Sequence, residues 1–156
     1  MDSQKEPGIA INHIRLLKSS IEMIDPKGEC KYDLRLVRFD RQESEDGKIL
    51  DIFAGFNVMH GVAKPLFKFT CDFIVQYVRH DDSSMAWKDF SSAMALAHIV
   101  PYLREYVSST TARLPAPMLM LDPINTNAMI ADYEGRKRRA SESKVAPQLD
   151  SEANRK

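Results

Sequence analysis

The chain of 156 residues has two cysteines, one tryptophan and no surplus charge of either sign. Cys30 and Cys71 lack CxxC spacing, which excludes a disulfide framework and points to a reducing compartment. Lys and Arg total 22 and Asp and Glu total 22, so overall charge does not drive binding to nucleic acid or to an anionic membrane. The four histidines, at 13, 60, 80 and 98, are scattered. No apolar run reaches the roughly 18 residues that a membrane span needs. The N-terminus, MDSQKEPG, is polar and has no signal-peptide core, so a cytoplasmic protein without membrane insertion is expected. GxGxxG, HExxH, GxSxG and the phosphate-loop motif are all absent, leaving nucleotide and common hydrolase chemistry without a local signature. The expectation is a protein that is not an enzyme, with no cofactor and no metal site.

What is present is the composition of one ordinary globular domain, 44% hydrophobic and 28% charged. A chain of this size can bury roughly 70% of its unfolded surface, enough for a core without disulfide or metal support. Residues 9–24 mix Ile, Leu and Met with polar residues and end at Asp25-Pro26-Lys27-Gly28, a turn sequence, and read as a long, bulged first strand. Tyr32, Leu34 and Leu36 alternate with Asp33 and Arg35, the period of a strand with one wetter face. The acidic run from Glu43 to Gly47 reads as a hairpin loop. Leu50 to Val58 and Phe67 to Tyr77 alternate again, with His60 to Pro65 as the turn between them. Four strands joined by short connections specify an antiparallel sheet, since parallel neighbours need crossovers.

After Asp81-Asp82-Ser83-Ser84, a helix-start cluster, the period changes. Phe90, Ala93, Met94, Ala97, Val100, Leu103 and Val107 follow helical spacing. Pro101 inside this pattern predicts a kink, with the long helix in two segments. The proline-marked stretch from Leu114 to Pro123 cannot be regular helix. A short last helix, Thr126 to Tyr133, follows with Asn125 as its cap. The expected fold class is α+β, a four-stranded antiparallel sheet followed by a long kinked helix and a short C-terminal helix. Residues 1–8 read as a flexible lead-in, 9–133 as the domain, and 134–156 as a basic, disordered tail. That tail holds seven of the 22 basic and four of the 22 acidic side chains, leaving 15 basic against 18 acidic before it. His80 beside Asp81-Asp82 reads as a turn rather than a metal site, and His98 as a packing or interface histidine. Arg136-Lys137-Arg138-Arg139 could meet phosphates, but no aromatics interleave it, so nucleic acid is the disfavoured partner.

The segment 98–133, HIVPYLREYVSSTTARLPAPMLMLDPINTNAMIADY, resembles the SecB family of bacterial export chaperones. Pro101, Tyr102, Arg104 and Glu105 match its first C-terminal block. Pro117, Leu119, Leu121, Pro123, Ile124, Asn125 and Ala128 match its second. Ser20-Ile21-Glu22 and Tyr32-x-Leu34-x-Leu36 extend the resemblance more weakly toward the N-terminus. Leu114 stands where the family usually has glycine, and Thr126-Asn127 replaces Phe-Asp.

The resemblance implies an ATP-independent holdase that keeps unfolded or extended clients, preproteins among them, soluble and export-competent. It implies a client groove lined by Tyr32, Leu34, Leu36, Leu119, Leu121, Ile124, Met129 and Ile130. It further implies a homotetramer, a dimer of dimers whose helix interface holds Ala93, Ala97, Tyr102, Arg104 and Glu105. Of the acidic face that engages the SecA translocase motor, Glu22 is kept. Lys18 reverses another position, and Asn57 to Met59 carry no carboxylate, so charge complementarity to that motor is depleted. Eight methionines, Met118, Met120 and Met129 among them, offer adaptable contacts to unrelated clients. Two alternatives stand beside the general holdase: a SecB-like chaperone dedicated to one client, such as the antitoxin of a toxin–antitoxin module, and an adaptor binding nucleic acid through the basic tail.

Overall fold

The computed structural model describes residues 8–80 and 85–145. Four strands, β1 (Ile9–Met23), β2 (Arg35–Glu43), β3 (Ile49–Asn57) and β4 (Phe67–Arg79), precede a 3-10 turn at Trp87–Asp89 and two helices, α1 (Ser92–Thr111) and α2 (Thr126–Val145). The strands form one antiparallel sheet in the order β1-β4-β3-β2. The sheet, its order of elements and the two following helices make the α+β architecture expected from the sequence.

Alternation decides which face is core. Phe67, Phe69, Cys71, Phe73, Val75 and Tyr77 of β4 and Leu50, Ile52, Ala54 and Phe56 of β3 are all buried, while Asp51, Thr70, Asp72 and Gln76 between them are not. Each fully buried Phe, Leu or Ile contributes about 1.5–3 kcal/mol relative to exposure, so these two central strands dominate stability. Tyr106 of α1 caps Phe69 and Phe73 edge-on, with ring centroids 6.0 and 6.2 Å away. Buried Tyr77 shares a 2.8 Å hydrogen bond between its hydroxyl and His98 Nδ1, which makes His98 a packing residue.

β1 sets 15 residues against the 13 of β4, and the surplus is absorbed at two bulges, between Ile11 and His13 and between Leu16 and Lys18. Its core-side residues are therefore opposite Tyr77, Val75, Phe73, Cys71, Phe69 and Phe67 although their own spacing is uneven. The β2–β3 hairpin turns at Gly47, whose φ of 68° is the left-handed conformation that glycine adopts without strain. Gly28 is needed for a different reason. A Cβ there would lie 2.7 Å from the backbone of Pro65 and Leu66.

Several boundaries differ from the sequence reading. β2 begins at Arg35, not Tyr32; the preceding stretch runs beside residues 58–66 through bridges at Glu29 to Pro65 and Asp33 to Met59, so Tyr32 and Leu34 lie outside the strand. α1 starts at Ser92, capped by Ser91 Oγ accepting from Met94 N at 3.1 Å; residues 81–84 lie outside the described residues. It is one helix through Pro101 rather than two segments. Pro101 and Ala97, whose carbonyl loses its donor, are both exposed, so water can satisfy the orphaned oxygen. α1 also buries Ala95, Leu96, Ile99, Val100, Leu103 and Val107, leaving Met94 and Ala97 outside, because Leu96 and Ile99 offer more apolar area than the alanines read as the stripe.

The last helix is not short. α2 continues past Tyr133 to Val145, so residues 134–145 are helical rather than irregular. Its exposed face is rich in strong helix formers, and Asp132 and Arg136 pair at i,i+4 with a 2.9 Å contact, both of which favour propagation without a packed face. The tail expected over 146–156 and, but for Gly8, the lead-in over 1–8 lie outside the described residues. Among the described residues no helix is long and apolar enough to cross a membrane.

Candidate functional site

Residues 114–125 cross from the end of α1 to the start of α2 as an extended strap. Prolines at 115, 117 and 123 deny it helical hydrogen bonding, and Asn125 Oδ1, accepting from Ala128 N at 3.0 Å, starts α2. Within the strap successive side chains alternate. Leu119 and Leu121 are buried at 5% and 3% exposure, whereas Met118 and Met120 stand out at 51% and 61%.

Polar ties fix that alternation. Thr111, in the last turn of α1, is buried; its Oγ1 donates to Val107 O at 2.7 Å and accepts from Leu119 N at 2.9 Å. Arg104 Nε donates to Leu121 O at 3.0 Å. On the other flank the Cys30 thiol donates to Pro117 O at 3.2 Å, and the Tyr32 hydroxyl donates to Asp122 Oδ2 at 2.7 Å while accepting from Asp122 N at 2.9 Å. The Asp122 carboxylate bond raises the Tyr32 phenol above its ordinary value, and burial pushes the Cys30 thiol up.

These two ties join positions 30 and 32 to positions 117 and 122. A span of two residues is thus tied against a span of five. Between the ties lies a shallow, open cleft of about 520 Å³, lined by Cys30, Lys31, Tyr32, Met118, Leu119, Met120 and Asp122. Among the described residues the N–H groups of Lys31, Met118 and Met120 make no hydrogen bond, so two extended segments face solvent with unused pairing capacity.

The residues implied by resemblance divide. Tyr32 lines the cleft. Leu36, 1% exposed, and Leu119 and Leu121 are buried in the core; the two strap leucines are the pegs that hold the strap down. Leu34, Ile124, Met129 and Ile130 are half-buried against the same core. Met118, Met120, Cys30, Lys31 and Asp122 complete the cleft. Their signal was weak in sequence, because in Met-Leu-Met-Leu the buried and exposed partners are equally apolar. Among the helix-interface residues, Ala97, Tyr102, Arg104 and Glu105 are exposed and Ala93 is half-buried. Arg104 is also committed to the strap. Glu22 is exposed on the outer sheet face, opposite Lys68.

The two sheet edges differ. Arg136 of α2 donates to Leu36 O at 2.7 Å, and Tyr133 Oη accepts from Phe39 N at 3.2 Å, on either side of a β2 bulge. Arg41 donates to Trp87 O and Phe90 O, both at 2.7 Å. β2 is thus blunted by its own chain, as natural edges usually are. Among the described residues nothing covers β1 in this way, and Ile11, Leu16 and Leu17 are exposed along it.

No family model matches the chain, and no curated protein does. Among solved structures it is similar to a SecB-like chaperone of Mycobacterium tuberculosis, determined in complex with a peptide from an antitoxin, at 19% identity and a TM-score of 0.58, with 74% of this chain and 90% of that chain covered. A Streptococcus agalactiae protein of unknown function aligns at 13% identity and a TM-score of 0.45, over 74% of this chain and 97% of its own. The first comparison shows the fold: this chain has the SecB-like fold.

Proposed function

We propose that the chain is a chaperone of the SecB-like kind, a passive holdase that receives an extended polypeptide segment in the strap cleft. The observation that carries this reading is the cleft itself. Met118 and Met120 present soft apolar surface, and the unpaired N–H groups beside them can donate to the carbonyls of a client backbone in the manner of strand addition. No ATP is required. The β1 edge, uncovered among the described residues, and the exposed α1 face with Met94 and Tyr102 support assembly into a tetramer, a closed symmetric oligomer being the usual way to cover such surface.

The dedicated-client reading has its own support, since the similar mycobacterial structure holds an antitoxin peptide. The outer sheet face adds to it: Glu22 stands opposite Lys68, and Lys18, Asp72 and Arg38 share that face, a mixed field rather than an acidic one, which favours a specialised client over delivery to a translocase motor. The test is suppression of light scattering by a slowly refolding client, comparing wild type with a Met118→Ser, Met120→Ser variant of the same oligomeric state. Suppression lost in the variant supports the cleft; equal suppression removes it. Wild type that suppresses nothing, yet retains an antitoxin peptide, selects the dedicated chaperone.

A further inference from the structure

We propose that Met118 and Met120 are a peroxide-sensitive modification site: oxidation of their thioethers to sulfoxides closes the cleft to apolar peptides, and reduction reopens it. The proposal rests on the client-binding reading above and adds its regulation. Both side chains are more than half exposed, and both stand on the same side of the strap because they are two residues apart on extended backbone. The strap cannot turn them inward, since Leu119 N is held by Thr111 and Leu121 O by Arg104. Met59, by contrast, is buried. The nearby thiol is a poor competitor for oxidant: Cys30 donates to Pro117 O and burial disfavours its thiolate, the reactive form. Cys71 is buried.

The reaction balances with peroxide alone. A sulfur lone pair attacks one peroxide oxygen, the O–O bond breaks, an S–O bond forms, and the proton on the transferred oxygen passes to the departing hydroxide, which leaves as water; sulfur loses two electrons and peroxide gains them. The product replaces an apolar, flexible rim with two polar, chiral sulfoxides. An apolar peptide then meets strongly solvated oxygens in place of soft contact surface.

The experiment uses the full chain, treated with dilute hydrogen peroxide and quenched with catalase, with mass spectrometry to confirm conversion at both positions. Binding is read by fluorescence anisotropy of a labelled peptide in which leucine alternates with serine, as the ratio of each protein's Kd after and before treatment. Wild type is expected to weaken by about tenfold or more, from losing two soft apolar contacts, and to recover after methionine sulfoxide reductases of both epimer specificities. In a Met118→Leu, Met120→Leu variant, which keeps the exposed Met23, Met85 and Met94, the ratio stays near one. The proposal is overturned if wild type carrying both sulfoxides binds as before, or if the leucine variant weakens equally. Failure of untreated wild type to retain the peptide is a separate result, which removes the client-binding reading and the switch with it.

Discussion

Tyr32 and Asp122 are joined twice, the phenol donating to the carboxylate at 2.7 Å and accepting from the Asp122 backbone N–H at 2.9 Å. Ninety residues apart in sequence, they close one end of the cleft. Tyr32→Phe removes both bonds while keeping the ring. The expected result is a stability loss of about 0.5–1.5 kcal/mol by urea denaturation, together with faster hydrogen exchange at Leu119, whose N–H is bonded to Thr111 Oγ1. Unchanged exchange there would show that the strap is held without this tie.

Thr111 is the buried polar side chain on which the strap's register depends. Thr111→Val leaves Leu119 N buried without an acceptor and is expected to cost about 1–3 kcal/mol. Thr111→Ser restores the oxygen and most of the stability. Equal loss in both variants would assign the effect to packing of the methyl group instead.

Leu119 and its neighbours on the strap separate folding from binding. Leu119→Ala is expected to destabilise by about 2–5 kcal/mol, as core leucines do, whereas Met118→Ala and Met120→Ala move stability by about 0.5 kcal/mol or less, as exposed positions do. Peptide affinity should rank the other way at a temperature where all three are folded. Parallel denaturation and anisotropy measurements check both orders.

Much of this was legible beforehand and some could not be. The four strands, the hairpin at Gly47, the non-helical strap and the Asn125 cap follow from alternation and turn chemistry, which act locally. The fate of Tyr32 and Leu34 did not, because pairing with residues 58–66 ends β2 at Arg35 despite continued alternation. Nor was the strap's polarity readable, since hydropathy cannot rank Met118 against Leu119; two hydrogen bonds from α1 rank them. The span of α2 beyond Tyr133 was hidden because its support is an ion pair and intrinsic propensity rather than an apolar stripe.

High pH should weaken the fold through two buried groups. Burial raises the Cys71 thiol from 9.0 to about 12 and also raises the Tyr77 phenol. A group whose folded pKa is raised contributes stability fully present below its unfolded pKa and lost as pH climbs through the folded one. Stability is therefore expected to decline above pH 9 and to have lost the Cys71 contribution by about 12. Cys71→Ala should flatten that slope in urea titrations across this range, and an identical slope would exclude the thiol.

Covering of β2 by α2 predicts an aggregation phenotype. Tyr133→Phe with Arg136→Met leaves Phe39 N and Leu36 O without partners on a bulged edge. The variant is expected to scatter light at lower temperature than wild type, because an unpaired edge is a template for another chain. No shift would mean that the bulge alone protects β2.

The two bulges of β1 give that strand an uneven tolerance to shortening. Asn12 and Leu17 are the residues without a counterpart in β4, so excising either removes its own bulge and leaves every other side chain on its present side. Removing Arg15 instead forces the residues between the bulges to change sides or to re-form a bulge elsewhere. A strand that looks irregular is thus indifferent to deletion at two positions and intolerant between them, and sequences sharing this sheet can differ in length at Asn12 and Leu17 while presenting the same core.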